Sequence, residues 1–515
     1  LLVISCLRMT NCNRCTSCLQ WSYRTNICRI LKINYIINDL SELEKSMNTH
    51  GESCGKTENM TESAKDTLEQ LQRMGKKQEG FQEFIENIMI PMGENKGDML
   101  PVSAFLGRED GRFPNGTAAL EKRGVASEVP RWIPKNCIQC NRCAFICPHS
   151  CIRPYLLDGP ELEMAPEDFA TIPAIGEGVS DYKFRIQVSP LDCTGCGNCA
   201  DICPAKEKAL VMEDMQQHRD VETKNHLFAE YEVTQKIKVE DSKNVKTSQF
   251  AKPLVEFSGA CAGCGETPYI KLVTQLFGKR MIIANATGCS SIWGASAPST
   301  PYTCNEEGKG PAFGSSLFED NAEYGYGMYL GVQQMREQLQ LKIEEYLSLW
   351  NQQERSGGEL QRLLAAWLEK KEDKNQAGNI GDDIIDMLGV YQTVYTWEEK
   401  CLQVIQNLKD YFVKPSIWLI GGDGWAYDIG FGGVDQVVST GADVNILVFD
   451  TEVYSNTGGQ MSKSTPTAAV AKFASRGKGT RKKDLGRMLM TYENVYIAQI
   501  AMGADMNHTL QAIKE

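Results

Sequence analysis

Eight cysteines in this chain stand at spacings that suit inorganic clusters. Cys137, Cys140, Cys143 and Cys147, followed by Pro148, form C-x2-C-x2-C-x3-C-P, and Cys193, Cys196, Cys199 and Cys203, followed by Pro204, repeat it. Two such runs make a pseudo-symmetric dicluster domain of the ferredoxin type, in which the fourth cysteine of each run serves the other cluster. The spacing therefore predicts one [4Fe–4S] cluster on Cys137, Cys140, Cys143 and Cys203, and a second on Cys193, Cys196, Cys199 and Cys147. Zinc also takes CxxC pairs. Three cysteines in tight register before a Cys-Pro, occurring twice, favour iron–sulfur. Cys151 falls outside the pattern and reads as a buried thiol.

A second stretch, Ile417 to Gln460, has the residues for a hard cation and a phosphate. Ser416–Ile420 and Val444–Phe449 are apolar runs of the kind that form buried parallel strands, and Asp428–Ser439 between them suits a crossover helix. Gly421, Gly422 and Gly424 let backbone approach a phosphate at the strand's carboxyl end. Asp423 can hold a divalent cation, Thr451 can add a second oxygen, and the Val453 carbonyl a third. Mg²⁺ suits so few protein oxygens, because it shares a diphosphate. Asp-Gly followed by an oxygen ligand just past the next strand is the usual signature of thiamine diphosphate binding. Thr451 stands where Asn is commonest. The bland alternative is an ordinary glycine-rich α/β turn. The cysteine runs upstream favour the cofactor.

A third group is open. Cys261-Ala-Gly-Cys264-Gly-Glu266 follows the apolar Pro253–Phe257, and Cys289 follows the apolar Met281–Ala284. On residues alone, a further cluster site lacking one ligand and a redox or zinc CxxC pair with an unrelated core cysteine stand level.

The elements that must position these groups can be read along the chain. Its 515 residues suffice for two to four domains, and a net charge of −12 argues against nucleic acid or an anionic membrane as partner. Most of the 20 cysteines fall in short CxxC groups, which points to ligation in a reducing, cytoplasmic compartment. No apolar run approaches a membrane span. The start, Leu-Leu-Val-Ile-Ser-Cys, is poorly flanked for a signal peptide and is not Met, so a fragment is expected.

Residues 1–97 read as an uncertain extension, with Cys12, Cys15 and Cys18 as loose thiols and an amphipathic helix over Leu68–Ile90. Gly51–Thr57 resembles a P-loop but is one residue short and lacks a preceding strand. The Asn115 sequon reads as chance. Residues 98–132 read as a linker and 133–210 as a ferredoxin-like α+β domain with a surface loop over 155–190. Residues 211–252 read as a second, polar linker. Residues 253–515 read as an α/β domain, a doubly wound parallel sheet that binds thiamine diphosphate. Within it, 327–412 has helical spacing with a polar loop near Lys371–Asp382. Ala468–Gly479 reads as a small-residue helix before the basic Lys478, Arg481, Lys482 and Lys483, either solvated or facing an anion such as coenzyme A. Asn494–Ile500 reads as a strand and Ala504–Glu515 as the beginning of a helix.

From about Met99 to Glu515 the chain resembles the single-chain pyruvate:ferredoxin (flavodoxin) oxidoreductases. The resemblance rests on Leu-Pro-Val-Ser-Ala-Phe at 100–105, Glu121-Lys-Arg-Gly, the run from Cys137, Ile152-Arg-Pro, Phe257 through Tyr269, Gly421–Gly433, and Tyr454-Ser-Asn-Thr-Gly. It implies that Cys261, Cys264 and Cys289 hold a proximal [4Fe–4S] cluster beside the thiamine. That family's fourth ligand lies further toward the C-terminus, and no cysteine here follows Cys401, so a C-terminally truncated thiamine domain is expected. It implies Asp423, Thr451 and Val453 as Mg²⁺ ligands, Glu266, Gly422, Gly424 and Trp425 as thiamine contacts, and Asn456 as the residue facing substrate during catalysis. The implied reaction is oxidative decarboxylation of pyruvate to acetyl-CoA and CO₂, with electrons leaving through three [4Fe–4S] clusters to ferredoxin or flavodoxin, in a homodimer. Two other readings stand beside it. One is a sister enzyme for another 2-oxoacid, and the other is an electron-transfer module without catalysis of its own.

Overall fold

The computed structural model describes residues 2–6, 80–237, 243–316, 319–353 and 357–515. Cys12, Cys15, Cys18, the P-loop look-alike and the first part of the helix expected over Leu68–Ile90 lie outside these. The strands, numbered along the chain, are β1 (Leu2–Cys6), β2 (Glu128–Trp132), β3 (Ile152–Leu157), β4 (Ile172–Pro173), β5 (Lys183–Val188), β6 (Leu210–Asp214) and β7 (Met281–Asn285). They continue as β8 (Ala312–Ser315), β9 (Ser416–Gly422), β10 (Asn445–Asp450), β11 (Val453–Tyr454), β12 (Gln460–Met461) and β13 (Ile497–Ile500). Contacts divide the chain into two compact units. One is made chiefly of Arg280–Gly288 and Ala312–Gln499. The other takes the described residues from Gly80 to Lys279 together with Cys289–Pro311 and Ile500–Glu515.

The first unit is built on a six-stranded sheet of order β13-β1-β10-β9-β7-β8, in which β10, β9, β7 and β8 pair parallel. β9 is buried along nearly its whole length, as its apolar run requires in a parallel strand covered on both faces. Phe449 pairs with Gly422, so the carboxyl ends of β9 and β10 lie side by side, and Asp423 and Thr451 follow from them. The crossover between them is a π-helical turn, Gly424–Ile429, then the helix Phe431–Ser439. Val434, Val437 and Val438 on that helix pack with Ile417, Leu419, Ile446 and Val448 of the sheet.

The helices expected over 327–412 are Asn321–Gln352, Glu359–Lys370, Lys374–Val390 and Thr396–Asn407. They close around Leu339, Ile343, Tyr346, Leu364, Trp367, Ile405 and Phe412. The polar loop expected near Lys371–Asp382 is largely helix. Ala377 and Ile384 of that segment are buried in the same core, and a periodicity carried by so few apolar residues is hard to see among polar ones.

In the second unit, β3 pairs antiparallel with β5, and β5 with β4, while β2 pairs antiparallel with β6, Trp132 opposite Leu210. Three expectations are corrected here. Residues 98–132 are more than a linker, because Thr117–Ala119 are buried and Glu128–Trp132 is a strand. Residues 155–190 are no surface loop, because β3 and β5 run through them with Leu157, Phe184 and Ile186 buried. Residues 211–252 contain the helix Met215–Tyr231, capped by Asp214, whose side chain accepts from Gln216 N at 2.8 Å. The part of 253–515 that precedes β7, the segment Cys289–Pro311 and the segment Ile500–Glu515 belong with this second unit rather than with the sheet of β9 and β10.

Candidate functional site

The second unit gathers the eight cysteines of the two runs around two cavities. One, of about 330 Å³, is rimmed by Cys147, Cys193, Cys196 and Cys199 between apolar walls from Pro130, Ile152 and Met212. The other, of about 330 Å³, is rimmed by Cys137, Cys140, Cys143 and Cys203 beside Trp132, Ile186 and Leu210. The fourth cysteine of each run stands with the first three of the other. Local structure explains the exchange. The helix Arg142–Ile146 carries Cys143, and Cys147 follows as its cap with extended backbone (ψ 118°), which turns that thiol away. Within the runs, Gln139 and Asn141 have left-handed backbone (φ 56° and 57°), and so do their counterparts Gly195 and Gly197 (φ 68° and 79°). The non-glycine pair is held in that costly conformation by side chains. Gln139 Nε2 donates to Pro173 O at 2.7 Å, and Asn141 Nδ2 to Lys246 O at 2.9 Å.

The linings fit iron–sulfur clusters. Thr194 Oγ1 and Asn198 Nδ2, both on the first cavity, are buried with no partner among the described residues. Buried donors need acceptors, and cluster sulfurs are acceptors. Burial pushes the Cys193 thiol up to about 12 and the Cys143 thiol higher, so protons occupy both until iron displaces them. Among the described residues, no three His, Cys, Asp or Glu form a single-ion metal site.

Cys261 is exposed and Cys264 half-buried, on a turn closed by Cys264 N donating to Cys261 O at 3.0 Å. Gly263 between them takes φ 74°, and a Cβ there would lie 3.7 Å from that of Cys196. The ring of His149, two residues past Cys147, lies 3.1 Å from Ser258 O by Nδ1 and 3.2 Å from Cys261 O by Nε2. This loop therefore lies against the first cavity. Cys289 opens the helix Cys289–Gly294, and Trp293 of that helix donates to Glu266 Oε2 at 2.9 Å. Pro253–Phe257 is not a strand; it makes one bridge, Val255 to Tyr302. Lys271, on the following helix Thr267–Phe277, is buried and donates to the carbonyls of Ala144, Phe145 (2.9 Å) and Cys147 (3.3 Å).

In the first unit, the three expected cation ligands converge. Thr451 Oγ1 lies 2.9 Å from Asp423 Oδ1 and 3.0 Å from Val453 O, and Ser455 Oγ lies 3.0 Å from it. A hydroxyl has one hydrogen for these acceptors, so lone pairs are left facing a shared point. Asp423 is 1% exposed, and burial pushes its carboxyl up to about 6, against the donation of Ser462 Oγ and Thr451 Oγ1. A buried carboxylate with only neutral donors fits a cation beside it. Gly422 is open where a Cβ would stand, with Phe449 O the nearest atom at 3.9 Å, which leaves room for a phosphate. Trp425 is buried and Asn456 is exposed on the turn after β11.

Sequence reasoning missed Ser462, which arrives from β12, 39 residues past Asp423, with no local signal. The expected helix over Ala468–Gly479 is absent. Ala468, Phe473 and Gly477 take positive φ (66°, 66° and 90°), and the segment makes bridges instead. Nor is its basic loop free. Lys482 pairs with Asp450 at 2.7 Å, Lys478 donates to Thr465 O at 2.7 Å, and Lys483 donates to Tyr427 O at 2.9 Å.

Gly424 admits no side chain. A Cβ there would lie 2.3 Å from Cε1 of Tyr454, whose hydroxyl donates to Gly424 O at 3.3 Å. Gly424→Ala should destabilise the protein by about 1–3 kcal/mol by overpacking, read as a lower urea midpoint at unchanged slope. A midpoint equal to wild type would show that Tyr454 moves aside freely.

Comparison with known proteins gives these sites a context. A family model described as a 4Fe-4S dicluster domain matches residues 136–207, and one described as a domain of unknown function, EKR, matches 72–126. Over 84% of its length the chain is 56% identical to a pyruvate-flavodoxin oxidoreductase of Klebsiella pneumoniae and 55% identical to a pyruvate:ferredoxin oxidoreductase of Moorella thermoacetica. Over that length its similarity is to pyruvate:ferredoxin and pyruvate-flavodoxin oxidoreductases. The chain spans about a third (36%) of the length of these curated relatives. It is also 45% identical, over 84% of its length and 24% of the relative's, to a pyruvate dehydrogenase [NADP(+)] of Cryptosporidium parvum. The dicluster reading of the cysteine runs is borne out by the family model, which spans both cavities' thiols. Among the described residues, no helix is long and apolar enough to cross a membrane.

Proposed function

We propose that this chain carries the thiamine-dependent carbon chemistry and the electron relay of a pyruvate:ferredoxin or pyruvate-flavodoxin oxidoreductase. The observation that carries the reading is the convergence of Asp423 Oδ1, Thr451 Oγ1 and Val453 O at the paired ends of β9 and β10. It stands in a chain whose other unit gathers eight thiols around two cavities.

Thiamine diphosphate, when bound, supplies the electron sink for loss of CO₂ from a 2-oxoacid. The protein's part is positional. Asp423 would offset the charge of a Mg²⁺ ion, and Thr451 and Val453 would offer two further oxygens. Gly422 and Gly424 keep backbone close to the diphosphate, and Trp425 lines the cofactor. The exposed Asn456 can hydrogen-bond the charge that develops on the substrate. Glu266 is assigned to the thiamine, and Cys261, Cys264 and Cys289 to a proximal cluster, on the family resemblance. Iron–sulfur clusters, when bound, carry electrons one at a time. Gly263 and His149 would place a cluster on the Cys261 loop beside one held by Cys147, Cys193, Cys196 and Cys199, and the short helix from Cys143 to Cys147 would link that site to the one of Cys137, Cys140, Cys143 and Cys203. Coenzyme A, a soluble acceptor, a homodimeric assembly and a cytoplasmic setting belong to the same proposal.

The deciding experiment follows anaerobic reduction of ferredoxin and flavodoxin by the full-length protein with pyruvate and coenzyme A, against 2-oxoglutarate. Turnover of 2-oxoglutarate alone would move the chain to a sister enzyme. A relay without catalysis of its own is the second reading, and the eight thiols around two cavities favour it. Iron analysis tests the part common to both. Anaerobically purified protein should hold about eight irons and matching labile sulfide from the two dicluster sites. Stoichiometric zinc with little iron would end the cluster assignment.

A further inference from the structure

One short helix serves both thiol-rimmed cavities. Arg142–Ile146 carries Cys143 toward the second cavity and ends at Cys147, on the first. Lys271 closes that end. Its ammonium is buried, at 2% exposure for the residue, and donates to the carbonyls of Ala144, Phe145 and Cys147. Three carbonyls at a helix C-terminus are a good site for a cation, but they supply dipoles rather than a countercharge.

Other buried cations of this unit are matched by carboxylates. Arg153 meets Glu230 at 2.6 Å and also Glu256, and Lys252 meets Glu230 at 2.8 Å. No carboxylate of the described residues pairs with Lys271. Burial is the largest influence on that ammonium and holds it down, to about 8; Cys147, Cys143 and Cys151 favour its charge as thiolates, and Arg153 opposes it. An unpaired ammonium in a dry interior is costly. The anions that would offset it are those the two cavities suit, thiolate-bound iron–sulfur clusters, whose negative charge grows on reduction.

We propose that Lys271 is a potential-setting residue of the electron relay, its ammonium stabilising the reduced state of the clusters at Cys147 and Cys143. The inference rests on the dicluster reading. It makes Lys271 a positioning residue that acts by charge, without contact to substrate. Its place on the helix that follows Cys261 and Cys264 ties that loop to the ferredoxin-type fold through a charge as well as through packing.

The test compares Lys271→Gln, which keeps N–H donors for the carbonyls, with Lys271→Arg, which keeps the charge. Each is made in the full-length protein and assayed for iron and sulfide. The dicluster potentials are then measured by redox titration followed by electron paramagnetic resonance. In Lys271→Gln the reduction equilibrium of at least one cluster should fall about tenfold, which is about 59 mV for one electron. Lys271→Arg should keep the wild-type potentials. Full iron with unchanged potentials in Lys271→Gln overturns the proposal, as does an equal fall in both variants. If Lys271→Gln loses iron while Lys271→Arg retains it, the charge is needed to assemble the clusters and the proposal stands. Loss of iron from both would reduce Lys271 to a packing role. A wild-type protein without iron–sulfur clusters would instead refute the dicluster reading.

Discussion

Asp423→Asn should abolish tight binding of thiamine diphosphate with Mg²⁺ and leave the cofactor-free protein at least as stable as wild type. The two effects have one cause. Asp423 is buried, and its carboxyl is pushed up to about 6 because desolvation outweighs the donors Ser462 and Thr451. Without a cation, the folded state favours the protonated acid. The stability that proton contributes is fully present below the unfolded carboxyl's pKa and is lost as pH rises through 6. Near pH 7 the lost contribution is on the order of 3 kcal/mol. Asparagine keeps the shape and carries no charge; its carbonyl accepts from one of the two hydroxyls, which reach different oxygens of Asp423, and the other hydroxyl must turn to accept from its amide. It avoids the penalty and cannot offset a divalent ion bridging two phosphates. Thr451→Ala should weaken binding less, because water can replace a neutral ligand. Calorimetric titration with thiamine diphosphate at fixed Mg²⁺, paired with urea unfolding of the cofactor-free protein at pH 5 and pH 7.5, reads both effects. Wild-type affinity in Asp423→Asn would remove the main physical support for a thiamine site at the end of β9.

Cys199→Ser should silence reduction of the soluble acceptor while decarboxylation chemistry persists. Cys199 is buried on the helix Asn198–Asp201 and faces the cavity it shares with Cys147, Cys193 and Cys196. That cavity is the one touched by the Cys261–Cys264 loop, through Gly263 to Cys196 and His149 to Cys261. On the proposed function, losing its cluster would break the relay between that loop and the site of Cys203. The lesion lies downstream of the carbon chemistry, so CO₂ release in a first turnover should survive. Cys304→Ser, at a buried thiol outside both runs, is the control and should keep all iron. Ferredoxin reduction at the wild-type rate in a Cys199→Ser protein lacking that cluster would show that electrons leave by another route.

The arrangement of the candidate residues was legible wherever it is local. Cysteine spacing gave both thiol sets, including the exchanged fourth members, because a helix of one turn between Cys143 and Cys147 dictates which way each thiol turns. The run of β9 and the turn at Asp423 were legible because a buried parallel strand ending in glycines leaves few alternatives. What stayed hidden depends on partners far along the chain. β2 looked like linker because Glu128-Val-Pro-Arg-Trp has no strong strand pattern, and its partner β6 lies some 80 residues away. Ser462 reaches Asp423 only after the chain has turned through β11 and β12. Lys271 reads as one polar residue on an apolar helix, and nothing nearby in sequence shows that three carbonyls await it. The small residues of Ala468–Gly479 suggested a helix, whereas the left-handed backbone at Ala468 and Phe473 belongs to a folded loop.

The return of Ile500–Glu515 to the cysteine-bearing unit bears on the order of events at the ribosome. Met502 N donates to the Tyr269 hydroxyl at 2.8 Å, and the helix Met506–Lys514 packs on the helices Val245–Ser248 and Thr267–Phe277. Those helices are synthesised more than 200 residues before the segment that covers them. The entropic cost of closing so long a loop rises only slowly with its length, so the return is affordable in equilibrium terms. In time it is late. While β7 to β13 are still being translated, those two helices lack the segment that packs on them. That delay leaves part of the helix Thr267–Phe277 uncovered for as long as the intervening residues take to be made.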